Sequence, residues 1–455
     1  MSRSCIPGDY QEYIEGAPTM KSTLFCSACI ALLFAYSMGA PVYADDDHTF
    51  DLSEVEKKPF ALGGYAELAP AVSWLDQDSS LSMLQYHDRD VGAVDGEVNG
   101  RLQLETTLEK GPALAYARTL ALAKYLTLGW EGEAVLQEAY LRIEPSASFS
   151  VIAGKSTFLW GKGYAWNPVA FVDRPKSLDE PEASREGFVS AAAGYVISFP
   201  GPLAALSLTS VLIPVYGGVN EDFGSTEGLN LAARLYLLLF DTDIDLNFFT
   251  GESRTTRAGV DFSRNLASNF ELHGELAYIT DQRKTVVDSG GFLSESSADA
   301  WKLLMGARYL TRTDTTFIVE YYHNGGGLSA EEMQSYFTLI RDGYEQYLET
   351  GGDSLLDRAR GLSRGAYGTS SPMTDYLYLR ASQKEPFGIL YLTPAVTGVV
   401  NLMDGSFSLS PEIAYTGITN LELRLQAAFL FGDRGTEYGE KPADTRLEAR
   451  ARYYF

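Results

Sequence analysis

The residues of this chain that could do chemistry are charged, and they cluster. Asp173, Arg174, Lys176, Asp179, Glu180, Glu182, Arg185 and Glu186 mix both signs within one short stretch, and Arg446, Arg450 and Arg452 stand two or four apart near the end. Fixed rows of opposite charge set up a field that orders water and sorts solutes by size and charge. That is the chemistry of passage, and the groupings for bond-making are missing. Gly161-Lys162-Gly163 lacks the spacing and the following Ser or Thr of a phosphate loop. Asp241-Thr242-Asp243-Ile244-Asp245 lacks the glycine that a calcium loop needs at its sixth place. The histidines are His48, His87, His273 and His323. His323-Asn324 is the candidate dyad element for a hydrolase, and the sequence offers it no Ser or Asp partner. Cys5, Cys26 and Cys29 all precede residue 45, so the remainder has no thiol nucleophile, disulfide, Cys-ligated zinc or C-x-x-C-H haem site. No catalytic residue, metal or cofactor is expected.

Elements that could hold such charges in rows are legible as alternation. In Thr445–Phe455, Leu447, Ala449, Ala451, Tyr453 and Phe455 oppose Arg446, Glu448, Arg450, Arg452 and Tyr454. A strand places successive side chains on opposite faces, so one face is apolar and the other ionic. The same pattern recurs in stretches of about ten residues, as at 94–109, 227–239, 268–280 and 419–431, and predicts eighteen strands between residues 59 and 455. Every second connection is tight: Lys110-Gly111, Glu144-Pro145-Ser146, Pro200-Gly201-Pro202, Phe240-Asp241 and their successors. Most of the intervening ones are long, at 74–93, 126–131, 159–185, 217–226, 281–298, 325–373 and 432–443. Within 325–373, Ser329 and Glu332 form a capping box, and Met333, Phe337, Ile340, Tyr344 and Tyr347 fall at helical spacing. They predict a helix near 330–349 and a shorter one at 353–360, packed on neighbouring loops.

Eighteen strands with their apolar faces inward would enclose a hole too wide for side chains to fill. With those faces outward to lipid, closure pairs every backbone polar group and the ionic faces line water. After residue 44 no apolar run is long enough for a helical span. The 28 Tyr, 23 Phe and 43 Gly suit strands and tight turns. A net charge of -24 argues against a nucleic-acid partner. At the front, Lys21, the apolar run 24–38 and small residues at Val42 and Ala44 read as a secretory signal cut after Ala44. Residues 1–19 match no targeting element, so Met20 reads as the true start. The expected organisation is 1–44 extension plus signal peptide, 45–58 a short periplasmic segment, and 59–455 the barrel.

The order Glu138-Ala139-Tyr140-Leu141, Gly154-Lys155, Trp160-Gly161, Asn167-Pro168 and the terminal Phe455 resemble bacterial outer-membrane porin-like barrels, general or substrate-specific. The resemblance implies an all-β, transmembrane, antiparallel up-and-down barrel with short periplasmic turns and long outer loops. It implies that the third long loop folds into the lumen, with the eight charged residues 173–186 named above near a constriction. Lumen-lining positions would include Arg101, Glu105, Glu138, Arg142, Arg234, Arg257, Glu275, Arg308, Arg380, Arg424, Arg446, Arg450 and Arg452. The expected function is a channel for small hydrophilic solutes in the outer membrane of a Gram-negative cell. Lipids, lipopolysaccharide and the barrel-insertion machinery would be its partners, and an oligomer is compatible. The competing reading is a barrel sheath or docking component of an export or electron-transfer complex.

Overall fold

The computed structural model describes residues 59–126, 129–288 and 290–455. The signal segment and 45–58 lie outside them. The first nine strands are β1 (Phe60–Leu75), β2 (Val94–Lys110), β3 (Ala113–Leu126), β4 (Gly129–Ser146), β5 (Phe149–Ser156), β6 (Phe188–Ser198), β7 (Leu203–Val215), β8 (Gly228–Leu239) and β9 (Thr242–Gly251). The second nine are β10 (Arg257–Ala267), β11 (Phe270–Val287), β12 (Leu293–Leu310), β13 (Thr315–Asn324), β14 (Asp375–Gln383), β15 (Leu392–Asn401), β16 (Phe407–Ile418), β17 (Leu421–Phe431) and β18 (Ala443–Tyr454). Each pairs antiparallel with its sequence neighbours, and β1 pairs with both β2 and β18, from Tyr65↔Tyr454 to Leu75↔Ala443. The sheet is therefore closed. Short turns and both ends of the barrel lie on one rim, and the long loops lie on the other.

The alternation lands as lipid requires. On β2, Leu104 and Leu108 are 38% and 52% exposed while Gln103 between the rows is 5% exposed. Leu423, Leu425 and Phe431 of β17, and Leu447 and Tyr453 of β18, likewise stand on the outer surface. Leu425→Arg would put a guanidinium into the middle of that band. It should cost about 2–4 kcal/mol of folding free energy in lipid vesicles. Arginine at the inward neighbour Gln426 should cost far less. Denaturant titration of vesicle-folded protein measures both, and equal costs would mean that the band does not face hydrocarbon.

Several boundaries differ from the sequence reading, among them the turn after β14, which runs over 384–391 and not 385–387. The 281–298 loop is mostly strand, since β11 and β12 continue to Val287 and from Leu293. Its sequence sets charged and hydroxyl residues on both faces and groups its apolar ones as Val286-Val287 and Phe292-Leu293, so no lipid-type alternation announces it. A hairpin standing beyond the apolar band needs none. The 126–131 connection shrinks to residues 127–128, outside the described set.

Helices α1 (Ser80–Tyr86), α2 (Ala330–Thr350) and α3 (Ser354–Ser363) sit in the long loops. The Ser329/Glu332 capping box starts α2, and Gly351 ends it at φ 71°, a conformation that suits glycine. The stripe Met333, Phe337 and Ile340 is buried against Leu356 and Ala359 of α3 and Leu84 of α1. The same cluster takes in Leu304, Tyr322, Tyr376 and Val399. The helical loop thus packs both on its neighbours and on the wall of β12–β15.

Candidate functional site

The connection between β5 and β6, residues 157–187 (loop 3), has little regular structure, so its amides need partners from elsewhere. Inward-facing carboxylates of the wall supply them. Glu138 on β4 accepts from Thr157 N at 3.0 Å and Thr157 Oγ1 at 2.9 Å. Glu275 on β11 accepts from Lys162 N (2.6 Å), Gly163 N (2.7 Å), Val169 N (3.2 Å) and Asn167 Nδ2 (2.8 Å). Glu320 on β13 accepts from Tyr164 N and, at 2.8 Å, from Ala165 N. Glycine is required at 161, where φ is 94° and a Cβ would meet Glu275 Oε1 at 2.7 Å. Within the loop, Asp173 closes a turn by accepting from Phe158 N at 2.8 Å and Trp160 N at 3.0 Å. Trp160, Val169, Phe171 and Val172 fill the space behind, against inward Val211, Ile213 and Phe249.

From this anchorage the loop crosses the lumen. Glu180 meets the wall of β2, β17 and β18, about half a circumference from β11. It pairs with Arg450, with Arg101 Nη1 at 3.3 Å and with Arg424 Nη1 at 3.9 Å. Ser184 Oγ donates to Gln103 Oε1 at 2.9 Å, and Gly187 N donates to Gln137 O at 2.9 Å. The wall opposite the loop tip is an interleaved ladder. Arg446 pairs with Glu97 at 2.5 Å and Glu448 at 2.9 Å, Arg452 with Glu67 at 2.6 Å, Arg424 with Glu422 at 2.8 Å, and Arg380 with Glu412 at 2.5 Å.

The residues expected at a constriction therefore divide. Asp179 and Glu180 lie at the loop tip, and Glu180 reaches the arginines, whereas Glu182 turns back beside Tyr164. Asp173 is a buried anchor and does not line a passage. Lys176 folds back to donate to Gly163 O at 2.6 Å and Tyr164 O at 3.0 Å, and burial with the Arg185 charge nearby holds its pKa below the ordinary lysine value. Arg174, Arg185 and Glu186 turn to the outer rim. There Arg174 pairs with Asp222 and with Glu186, Arg185 donates to Arg174 O at 2.8 Å, and Glu186 pairs with Lys155.

The expected lining residues divide too. Glu275 is an anchor, 2% exposed, and so not a lining group. Glu138 is 6% exposed and joins the loop to Arg118, 2.9 Å away, which also meets Glu105 at 3.1 Å. Arg234 and Arg257 lie behind the loop, over the rings of Trp160 and Phe249 at 5.7 and 5.9 Å. Arg142 pairs with Glu144 near the turn rim, and Arg308 is 61% exposed there. Arg450 is 7% exposed, a clamp on Glu180 more than a free cation. Sequence reading missed Glu67, Glu97 and Arg118. Parity could have found Glu97, which shares the polar face of β2 with Asp95, Asn99 and Arg101; Glu67 and Arg118 stand on faces of small or apolar neighbours that carry no such signal.

Trp166 Nε1 donates to Ser371 Oγ at 2.9 Å, tying loop 3 to the helical loop above it. Glu440, fully buried in loop 432–442, binds Ser80 N (2.5 Å), Arg341 and Gly435 N (2.7 Å), so one carboxylate joins three outer loops. Beside it, burial pushes Glu437 above the usual carboxylate range, and it accepts from Tyr376 OH and Asn401 Nδ2, each at 2.7 Å. His323, unpartnered in the sequence reading, has a partner in space. Its Nδ1 lies 2.9 Å from Asp375 Oδ1, which also accepts from Tyr321 OH at 2.5 Å.

No protein-family model matches the sequence, and no curated protein is detectably similar to it. Solved structures are. Pseudomonas aeruginosa OccK2 (OpdF), solved in complex with glucuronate, superposes at TM-score 0.51 with 11% identity, over 87% of this chain and 98% of that one. OpdQ of the same organism gives 0.49 at 12% identity, over 88% and 99%. A Rhodopseudomonas blastica porin variant gives 0.41 at 12% identity, over 87% and 100%. The likeness to OccK2 is one of fold: the chain is a porin-like, closed 18-stranded barrel.

Proposed function

We propose that this protein is a bacterial outer-membrane channel through which small hydrophilic solutes diffuse with weak charge selectivity. The observation that carries the reading is the suspended loop. A segment held to one wall by Glu275 and Glu320 reaches the other through Glu180, and its tip acids face an arginine ladder. Opposed charges across a narrow wet gap discriminate among solutes by size and charge while binding none tightly. Because most of those arginines have acidic partners, selectivity among ions is weak. The short turns face the periplasm, the capped loops face outward, and the apolar band meets lipid with lipopolysaccharide above it. A sheath around a folded partner fits less well, because the loop occupies the bore that such a partner would need.

Planar-bilayer recording of the folded protein tests the reading. Ohmic current steps are expected, together with uptake of glucose and glucuronate by channel-bearing vesicles. Glucuronate is the sugar acid bound in the OccK2 structure and a natural first solute. Folded barrels that pass neither ions nor sugars would overturn the proposal.

A further inference from the structure

Inside the barrel, positive side chains have negative partners. The ladder arginines Arg380, Arg424, Arg446, Arg450 and Arg452 each meet a carboxylate, and Lys162 of loop 3 meets Asp245 at 2.8 Å. Arg257 on β10 and Lys302 on β12 depart from this pattern. Among the described residues neither has an acidic partner, and neither side chain makes a hydrogen bond. Charges inside proteins are ordinarily paired, because desolvating a lone one is costly.

The register brings the two together. Arg257 pairs with Ile279 of β11, Ile279 pairs with Ala300 of β12, and Lys302 follows on the same face as Ala300. Ala277 and Ala300 leave a low floor for the long side chains to cross. The two charges are close enough to repel. Asn324 of β13 stands directly opposite Lys302, on the inward face that it shares with Glu320 and Tyr322. Its Oδ1 is buried without a partner, as is Arg257 Nε. The remaining atoms differ: both Arg257 Nη atoms, Lys302 Nζ and Asn324 Nδ2 are open to solvent and unbonded. Arg254 adds a third positive charge near Arg257, while its own donors go to Phe171 O and Phe223 O. Asp222, the acid that Arg254 feels, is paired with Arg174. Arg257 opens β10 and Asn324 closes β13, both toward the outer rim, so the group lies outward of the row where Glu275 holds loop 3.

We propose that Arg257, Lys302 and Asn324 form a binding site for a phosphate-type dianion, free or carried on a larger solute, on the outer side of loop 3. Two cations with no counter-charge are balanced by two negative charges. Donors without accessible acceptors suit a ligand that only accepts. A phosphate monoester carries about −1.5 to −2 charges at pH 7 and three acceptor oxygens. Arg257 can take two of its oxygens as a planar fork, and Lys302 supplies a point charge. A monocarboxylate leaves one cation unmatched, and a sugar hydroxyl finds no open acceptor here. The proposal deepens the channel reading and rests on it for the solute's route. Dianions are captured from the outer mouth before they reach the constriction at Glu180.

The test compares half-blocking concentrations of inorganic phosphate, glycerol phosphate and acetate on bilayer-reconstituted protein, each added to one side at a time. Both phosphates should block at about a tenth of the acetate concentration, since one further charge at contact distance is worth about tenfold in a partly wet site. They should block more readily from the side of the long loops. Arg257→Gln and Lys302→Gln should each reduce that advantage severalfold, and the double variant should abolish it. Lys302→Arg and Arg101→Gln should keep it. A second measurement needs no current: acylation of Lys302 in detergent-folded protein, read by peptide mass spectrometry, should slow severalfold in phosphate and not in acetate at equal ionic strength. Equal block by acetate, an advantage that survives the double variant or vanishes with Arg101→Gln, or labelling that phosphate leaves unchanged would overturn the site while leaving the channel intact. Absence of conductance alongside phosphate protection of Lys302 would instead overturn the channel reading and leave the site.

Discussion

Glu275→Ala is expected to free the middle of loop 3 and open the channel. The substitution removes four hydrogen bonds at once, three of them from backbone amides at 162, 163 and 169. At roughly 1 kcal/mol net per bond, the local loss is about 4 kcal/mol, enough to make the seated loop the minor state. The barrel itself should survive. β11 keeps its full ladders to β10 and β12, and those ladders do not depend on the side chain. Heat-modifiable mobility on gels should therefore be unchanged, while single-channel conductance rises and flickers. Protease should begin to cut between residues 174 and 187. Glu275→Gln should fall between, since one oxygen remains and the new NH2 faces amide donors. Wild-type conductance and full protease resistance in Glu275→Ala would mean that the wall carboxylates do not hold the loop.

The architecture was legible because lipid imposes a strict rule on it. Leu104 and Leu108 must look outward, Gln103 and Glu105 must look inward, and the period of two is written into the sequence. The rule lapses where lipid does. The upper half of the β11–β12 hairpin, 281–298, carries Asp, Arg, Lys and Ser on both faces and read as loop. Parity also stops short of saying what an inward side chain meets. Glu275 and Arg446 look alike in sequence, yet one serves buried amides and the other a half-open wall. The difference arises from loop 3 folding inward, a long-range event that no local pattern encodes. Asp173 was misread as a pore group for the same reason. A carboxylate in a charged stretch looks solvated until a turn brings Phe158 N and Trp160 N onto it. His323 shows the converse, since its partner Asp375 lies 52 residues away in sequence and one strand away in space.

Glu180→Gln carries the second large effect, and it separates two roles of the same residue. Glu180 is the loop-tip acid that meets Arg101, Arg424 and Arg450. Glutamine keeps the length and one acceptor, so the tip has reason to stay near the wall, held also by Ser184 on Gln103. What changes is the charge. Three guanidiniums lose a shared partner, and the gap becomes one unit more positive. One unit charge at about 6 Å in water is worth roughly 0.7 kcal/mol, or about threefold in the local concentration of a monovalent ion. The chloride-to-potassium permeability ratio should therefore rise severalfold at low ionic strength. It should fall back toward wild type near 1 M salt, where the Debye length is about 3 Å. Reversal potentials in a KCl gradient at two ionic strengths measure this directly. Glu182→Gln, beside Tyr164 and away from these arginines, should shift the ratio less. An unchanged ratio in Glu180→Gln, with conductance intact, would place the ion path away from the loop tip and the arginine ladder together.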